Sequence, residues 1–343
     1  MKDVILESAL VSEMARHVPS GSVLEEPCDV ALVDVDPAGE SFLAVTADAV
    51  CEEVMSGLFE DPYTIGWLVI MASASDLAAA GARPIGIAVT LGIPAHFGHE
   101  ARTALGRGIG DACRSLGTTC LRSDTNLDNE LRASACALGL VAKDRVLTRR
   151  GARPGDALYL SGRAGLGNAY ALSRFVPEQG AECFPFLPRA RLKMGQVMAG
   201  LASCSMDTSD GVLATLDELA KVNDVGFAIT ADPASFLHPH ALSACDCRRI
   251  PRWLALAGCQ GEYELVFTVR PAIEERLRAA GRRTHLAARC IGHVTEEPGV
   301  FLSWGGRDVK VNSGWIRNLS VEGVHDARRY ISDLVAYAQS LPV

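Results

Sequence analysis

Apolar positions along this chain alternate between two rhythms. Leu6, Leu10, Val11 and Met14 recur at helical spacing and predict a helix over 5–17. Short apolar runs at Val30–Val33 and Phe42–Val45 predict strands, the second running into Thr46-Ala47-Asp48. Tyr63 to Gly81 is long, rich in small residues and introduced by Pro62, which predicts a helix packed closely on its neighbours and stopped by Gly81. A strand over PIGIAVTLGIP, a helix over His99–Leu116, a short strand at Thr119–Leu121, a loop RSDTN and a strand over Ser134–Val141 follow. The basic, turn-rich segment LTRRGARPGD, 147–156, marks a boundary. Beyond it come a strand ALYLSG, a helix GLGNAYALSRF, the strand-to-helix unit CSMDTSDGVLATLDELAKV, strands at GFAIT and EYELVFTV, and a last strand near Val300–Leu302. Strands and helices alternate on both sides of the boundary, which predicts layered α+β domains over 1–148 and 149–343.

Composition fits that reading. The 343 residues are 48% hydrophobic and 22% charged, too apolar for a disordered chain and long enough for two cores. The net charge of −8 gives no general attraction for polyanions, so nucleic acid is not an expected partner. No apolar run approaches the ~20 residues of a membrane span. Acids inside the first apolar pattern argue against a secretory signal, so a cytoplasmic location is expected. The eleven cysteines, with Cys136, Cys183, Cys204 and Cys290 in or beside apolar stretches, read as reduced thiols. Cys245 and Cys247 lack the second thiolate pair that structural zinc needs.

The informative pattern is where the aspartates fall. Asp48 ends a strand, Asp76 sits inside the small-residue helix, Asp124 follows a strand, Asp207 and Asp210 lie between a strand and a helix, and Asp29 precedes a strand. An ionised carboxylate so placed loses hydration, which must be offset by hydrogen bonds or a cation. Mg²⁺ takes carboxylate, water and phosphate oxygens. Singly, Asp48, Asp124 and Asp210 could equally cap turns or helices. Asp76 is the hardest to read that way, because Asp has poor propensity in mid-helix and its neighbours are small and apolar. There is no GxxxxGK[ST], GxSxG or HExxH, and the glycine clusters at 106–110 and 162–167 lack a dinucleotide-binding context.

Several stretches resemble the thiamine-monophosphate kinases, within the superfamily of aminoimidazole ribonucleotide synthase, selenophosphate synthetase and the hydrogenase maturation protein that dehydrates a carboxamide. They are TAD at 46–48, DPYTIGWLVIMASASDLAAAGARP at 61–84, SDTN at 123–126, LTRRGARPGD, LPRARLKMGQVMAG, MDTSDGVLATLDELA, GEYELVFTV at 261–269 and Gly314-Trp315. The resemblance implies an N-terminal α+β domain with a dimer-forming sheet, a C-terminal α/β domain, ATP and Mg²⁺ as cofactors, a small-molecule substrate and a homodimer. It implies Asp29, Asp48, Asp76, Asp124 and Asp210 as metal ligands, and Thr46, Asp124, Thr125, Asn126 and Arg149 at the nucleotide. Asp210 and Arg149 would act on the transferring phosphate. Asp207, Ser209, Glu262 and Trp315 would face the acceptor, with Trp315 stacking on a flat ring.

The chain departs from the pattern in places. PCDVA replaces a GDDA-like motif. AVCEEVMSG replaces T-x-V-E-G-V-H-F, with Met55 in place of the histidine, and Arg122-Ser123 replace two glycines. The implied activity is in-line phosphoryl transfer from ATP to thiamine monophosphate or a close analogue. Two other readings stay open. One is ATP-dependent activation of an amide or carboxamide oxygen, and the other is a nucleotide-binding homologue without turnover.

Overall fold

Residues 28–177, 184–304, 307–323 and 326–341 are described in this computed structural model. The helix expected at 5–17 and Cys183 lie outside them. The first half builds a five-stranded sheet in the order β1-β2-β5-β3-β4, from β1 (Ala31–Val33), β2 (Ser41–Ala49), β3 (Arg83–Pro94), β4 (Cys120–Asp128) and β5 (Arg132–Ala142). All neighbours are antiparallel except β3 and β4. Three helices accompany it: α1 (Cys51–Met55), α2 (Pro62–Ala79) and α3 (His99–Leu116).

α2 is the hub. Asp61 caps it by accepting from Tyr63 N and Thr64 N, and Pro62 occupies its first turn. It shows no apolar stripe because residues from Ile65 to Ala79 are buried almost without interruption. Small residues allow this packing. A Cβ on Gly66 would sit 2.2 Å from Leu105 O, and one on Gly108 would sit 2.0 Å from Tyr63 O, so α2 and α3 cross backbone to backbone.

RSDTN is not a loop. It lies within the nine-residue strand β4, paired in parallel with β3 from Ile87↔Cys120 to Pro94↔Asp128. All of β4 but its last residue is exposed, so neither face carries the alternation that marks a half-buried strand.

The second half builds a seven-stranded sheet in the order β12-β11-β8-β10-β6-β9-β7. Its strands are β6 (Ala157–Leu160), β7 (Cys204–Asp207), β8 (Gly226–Ile229), β9 (Leu265–Val269), β10 (Arg289–Thr295), β11 (Gly299–Trp304) and β12 (Arg307–Val311). Helices α4 (Leu166–Phe175), α5 (Leu192–Met198), α6 (Val212–Asn223), α7 (Pro233–Phe236), α8 (Pro239–Arg248), α9 (Glu274–Thr284), α10 (Ser313–Gly323) and α11 (Ala327–Ser340) complete it. β7, β8 and β9 are buried throughout. The two halves pack together through aromatics: the Phe59 ring stacks on Tyr170 at 5.6 Å and Phe186 at 6.1 Å, and Trp67 Nε1 donates to Pro188 O at 2.7 Å. The ten described cysteines are free, although Cys290 is exposed rather than buried in its apolar run.

Candidate active site

Three aspartates from three distant segments converge. Asp29 lies two residues ahead of β1, Asp76 lies in the last turn of α2 and Asp207 ends β7. One carboxylate oxygen of each lies within 4.8 Å of the others. Among the described residues this is the one such gathering of His, Cys, Asp or Glu.

Each acid is held in place. Thr46 on β2 donates its hydroxyl to Asp76 Oδ2 at 2.5 Å. Ser209 Oγ donates to Asp207 Oδ1 at 3.0 Å. Arg149 Nη2 donates to Asp29 Oδ1 at 2.9 Å. Burial pushes the Asp29 carboxyl up to about 6, with the Asp207 charge adding and Arg149 opposing. Burial, then the charges of Asp207, Asp48 and Asp29, hold Asp76 well above the usual carboxylate range. Burial also raises Asp207. Three crowded acids with a single guanidinium among them are under-compensated.

These residues fit a divalent cation. The donors are hard oxygens, and Asp207 Oδ2 is buried with no hydrogen-bond partner. Other expected ligands lie around this group rather than in it. Asp48, on β2, is close enough for its charge to act on Asp76. Asp210 stands exposed in the turn before α6, and its charge acts on Glu53 and Cys259. It does not cap α6, because the cap is Gly211, at φ +87, where a Cβ would meet Gly258 O at 2.1 Å. Asp124 is exposed on β4 with Thr125 and Asn126, and accepts from Asn126 Nδ2 at 3.0 Å. The structure does not bring it to the other acids.

The acceptor residues separate too. Asp207 belongs with the converged acids. Ser209 lines a pocket beside them. Glu262 is buried, with Oε1 accepting from Gly167 N at 2.9 Å at the start of α4, and burial lifts it to about 8. Trp315 tilts against Tyr337 at 5.0 Å on the α10–α11 side and does not line that pocket.

Sequence reasoning missed Glu53 of α1 and Tyr263. Tyr263 takes φ +58, a left-handed conformation that a bulky residue rarely adopts. Its hydroxyl is pushed well above its ordinary range by burial and by the charges of Glu53, Asp48, Asp207 and Asp76. The strand-end position of Glu262-Tyr263-Glu264 was visible, but the strained backbone that aims Tyr263 at the acids was not.

The profile of the AIR synthase related protein N-terminal domain matches residues 28–141, and that of its C-terminal domain matches residues 153–305. The chain belongs to the AIR synthase-related family. Within that family it is similar to thiamine-monophosphate kinases. It is 31% identical to the Halobacterium salinarum enzyme over 74% of this chain and 83% of that one. It is 28% identical to the Caulobacter vibrioides enzyme over 80% of each. Among solved structures, tt0281 from Thermus thermophilus is 28% identical, covers 91% of this chain and 100% of its own, and superposes with a TM-score of 0.74. AaThiL complexed with AMPPCP and TMP shares the fold at 24% identity and a TM-score of 0.71, over 89% of this chain and 95% of its own.

Proposed function

We propose that this protein is an ATP-dependent kinase that transfers the γ-phosphoryl group of ATP to the phosphate of thiamine monophosphate. The observation that carries the reading is the convergence of Asp29, Asp76 and Asp207 from three distant segments of the chain. The relatives that are thiamine-monophosphate kinases support the activity, with alignments that cover 74% and 80% of this chain.

Asp29, Asp76 and Asp207 would hold Mg²⁺, with Asp48 and Asp210 at its edge. Bound there, the ion would neutralise phosphate charge in the transition state. The chain's own residues do the rest. Thr46 and Ser209 fix the carboxylates so that they need not reorganise during the reaction. Arg149, through a guanidinium whose Nε is buried and unpartnered, holds Asp29 and offers a second edge toward a phosphate. No general base is needed, because the acceptor oxygen is a phosphate oxygen that is already anionic. Thr125 and Asn126, on the exposed strand β4, would meet the nucleotide along the sheet edge.

The same strand supports a homodimer. β4 is an open edge carrying Leu121 at 47% and Leu127 at 83% exposure, with Ile85 of neighbouring β3 at 40%. An unpaired edge with exposed apolar side chains is a ready template for pairing with another chain. A second copy would cover it. A cytoplasmic location accords with a need for ATP, and among the described residues no helix is long and apolar enough to cross a membrane.

The test is turnover of ATP with thiamine monophosphate, followed by phosphorus NMR. Transfer to the substrate phosphate is expected. Release of inorganic phosphate, with no phosphorylated product, would move the protein to amide-oxygen activation. ATP binding without turnover would leave a nucleotide-binding protein.

A further inference from the structure

Beside the acid group a shallow pocket opens to solvent between α1, residues 186–188 and the loop 259–263. Phe59, Phe186 and Tyr263 give it aromatic walls, and Ser209 and Gln260 give it polar edges. Glu53 is its one charged lining residue, and no basic side chain lines it.

Glu53 is set there by its backbone. Its carbonyl accepts from Leu58 N at 3.1 Å and Phe59 N at 3.3 Å, which turns the chain after α1 and brings Glu53 and Phe59 to the same pocket. The charges acting on the Glu53 carboxylate come from Glu52, Asp210 and Asp48, and all are negative. Among the described residues no cation and no side-chain donor meets it; a hydrogen bond from its own backbone N–H is what it has. Burial and those charges push its carboxyl up to about 7, so a cation set against it would favour the ionised form. In the stretch AVCEEVMSG, Glu53 also stands where the related motif T-x-V-E-G-V-H-F has glycine, so the group is a feature of this chain.

Metal ions held by the aspartates would satisfy those aspartates, leaving Glu53 on the aromatic side. An aromatic pocket with one carboxylate is the complement of a flat organic cation. We propose that Glu53 selects the acceptor by charge, lying against the cationic thiazolium of thiamine monophosphate while Phe59, Phe186 and Tyr263 wall the ring. This rests on the kinase reading and adds the residue that reads the substrate. It also separates recognition from chemistry: the aspartates hold the phosphates, and Glu53 recognises the ring.

The experiment compares wild type, Glu53→Gln and Glu53→Asp with two acceptors. One is thiamine monophosphate. The other is 4-methyl-5-(2-phosphooxyethyl)thiazole, which carries the same ring and phosphate arm without the positive charge. Kinetics at saturating Mg²⁺ and ATP give KM and kcat, and calorimetry gives acceptor affinity independently of turnover. Losing one charge-assisted contact should raise the KM and Kd of E53Q for thiamine monophosphate by about tenfold or more. The neutral thiazole phosphate and ATP should change by less than about twofold, because neither presents a cation to Glu53. E53D should recover part of the loss. Equal losses for both acceptors, an unchanged KM for thiamine monophosphate, or a raised Mg²⁺ requirement would each overturn the proposal, the last by making Glu53 a metal ligand. Wild type that binds thiamine monophosphate without phosphorylating it would sink the kinase reading and leave the charge comparison standing in the calorimeter. Wild type that neither binds nor phosphorylates it would end both.

Discussion

The Thr46 hydroxyl reaches from β2 across to α2 and donates to Asp76 Oδ2 at 2.5 Å, so one strand of the sheet orients an acid that emerges from the hub helix. Two elements separated by a helix and two turns in sequence thus meet at one carboxylate. Replacing Thr46 by Val keeps the shape and removes the donor. The fold should persist, because the valine methyl fills the same space. The Mg²⁺ concentration for half-maximal activity should rise by about tenfold to a hundredfold, the usual cost of losing a partner that orients a metal ligand. Activity titrated against Mg²⁺ measures it. An unchanged requirement would show that Thr46 serves only the sheet.

The raised carboxyl groups set a pH dependence with a definite sign. Burial pushes the Asp29 carboxyl up to about 6, and Asp76 and Asp207 are raised in the same direction. Folded carboxyls that keep their protons longer than unfolded ones, at about 4, stabilise the metal-free fold below the unfolded value. That contribution is lost as pH rises through the folded value. Metal-free protein should therefore melt at lower temperature at pH ~7.5 than at pH ~5. Mg²⁺ binds the ionised acids, so its stabilising effect should be small at the lower pH and large at the higher one. Asp76→Asn should abolish turnover, flatten the metal-free slope and shrink the Mg²⁺ effect. Thermal melts with and without Mg²⁺ check the last two and an activity assay the first, and full activity in D76N would remove Asp76 from the site.

Glu262 answers to the same logic without a metal. Its carboxyl is lifted from 4.5 to about 8 by burial, while Oε1 accepts from Gly167 N. Its contribution to stability is complete below the unfolded value and disappears as pH rises through about 8. Glu262→Gln keeps an acceptor for Gly167 and cannot ionise. The variant should match wild type near pH ~5 and exceed it by on the order of a few kcal/mol near pH ~9. Chemical denaturation at the two pH values decides it. A variant less stable at the higher pH would show that the ionised carboxylate has a partner that stabilises it.

Leu127, 83% exposed on β4, tests the proposed subunit interface. If a second copy covers β4 as proposed, Leu127→Asp places a charge in that interface and converts the dimer to a folded monomer. Light scattering gives the mass and circular dichroism the fold. A wild-type chain that is already monomeric at micromolar concentration would show that β4 faces solvent.

Much of this was legible in the chain. The helix expected from Tyr63 to Gly81, found over Pro62–Ala79, the His99–Leu116 helix and the buried strands of the second half follow from apolar runs and from glycine and proline stops. Asp76 stood out because an acid among small apolar residues needs an explanation that local structure does not supply. Strand β4 was less legible. Its residues are exposed on both faces, so no burial rhythm marks it, and only pairing with β3 makes it a strand.

The order of motifs along the chain determined the family, the two α+β halves and the type of residue at the site, because those depend on local pattern and chemical identity. Which aspartates share a centre was decided by tertiary structure alone. Asp76 and Asp207 meet because α2 packs against β7, and the chain ahead of β1 brings Asp29 to them, while Asp124 lies on the edge strand β4 and Glu262 turns inward to a helix start. Distance in space depends on how sheets and helices stack, and a carboxylate carries no sign of that stacking in its own neighbours. Glu53 and Tyr263 were hidden for the same reason: one needs a turn after a short helix and the other a left-handed backbone before either faces the acids.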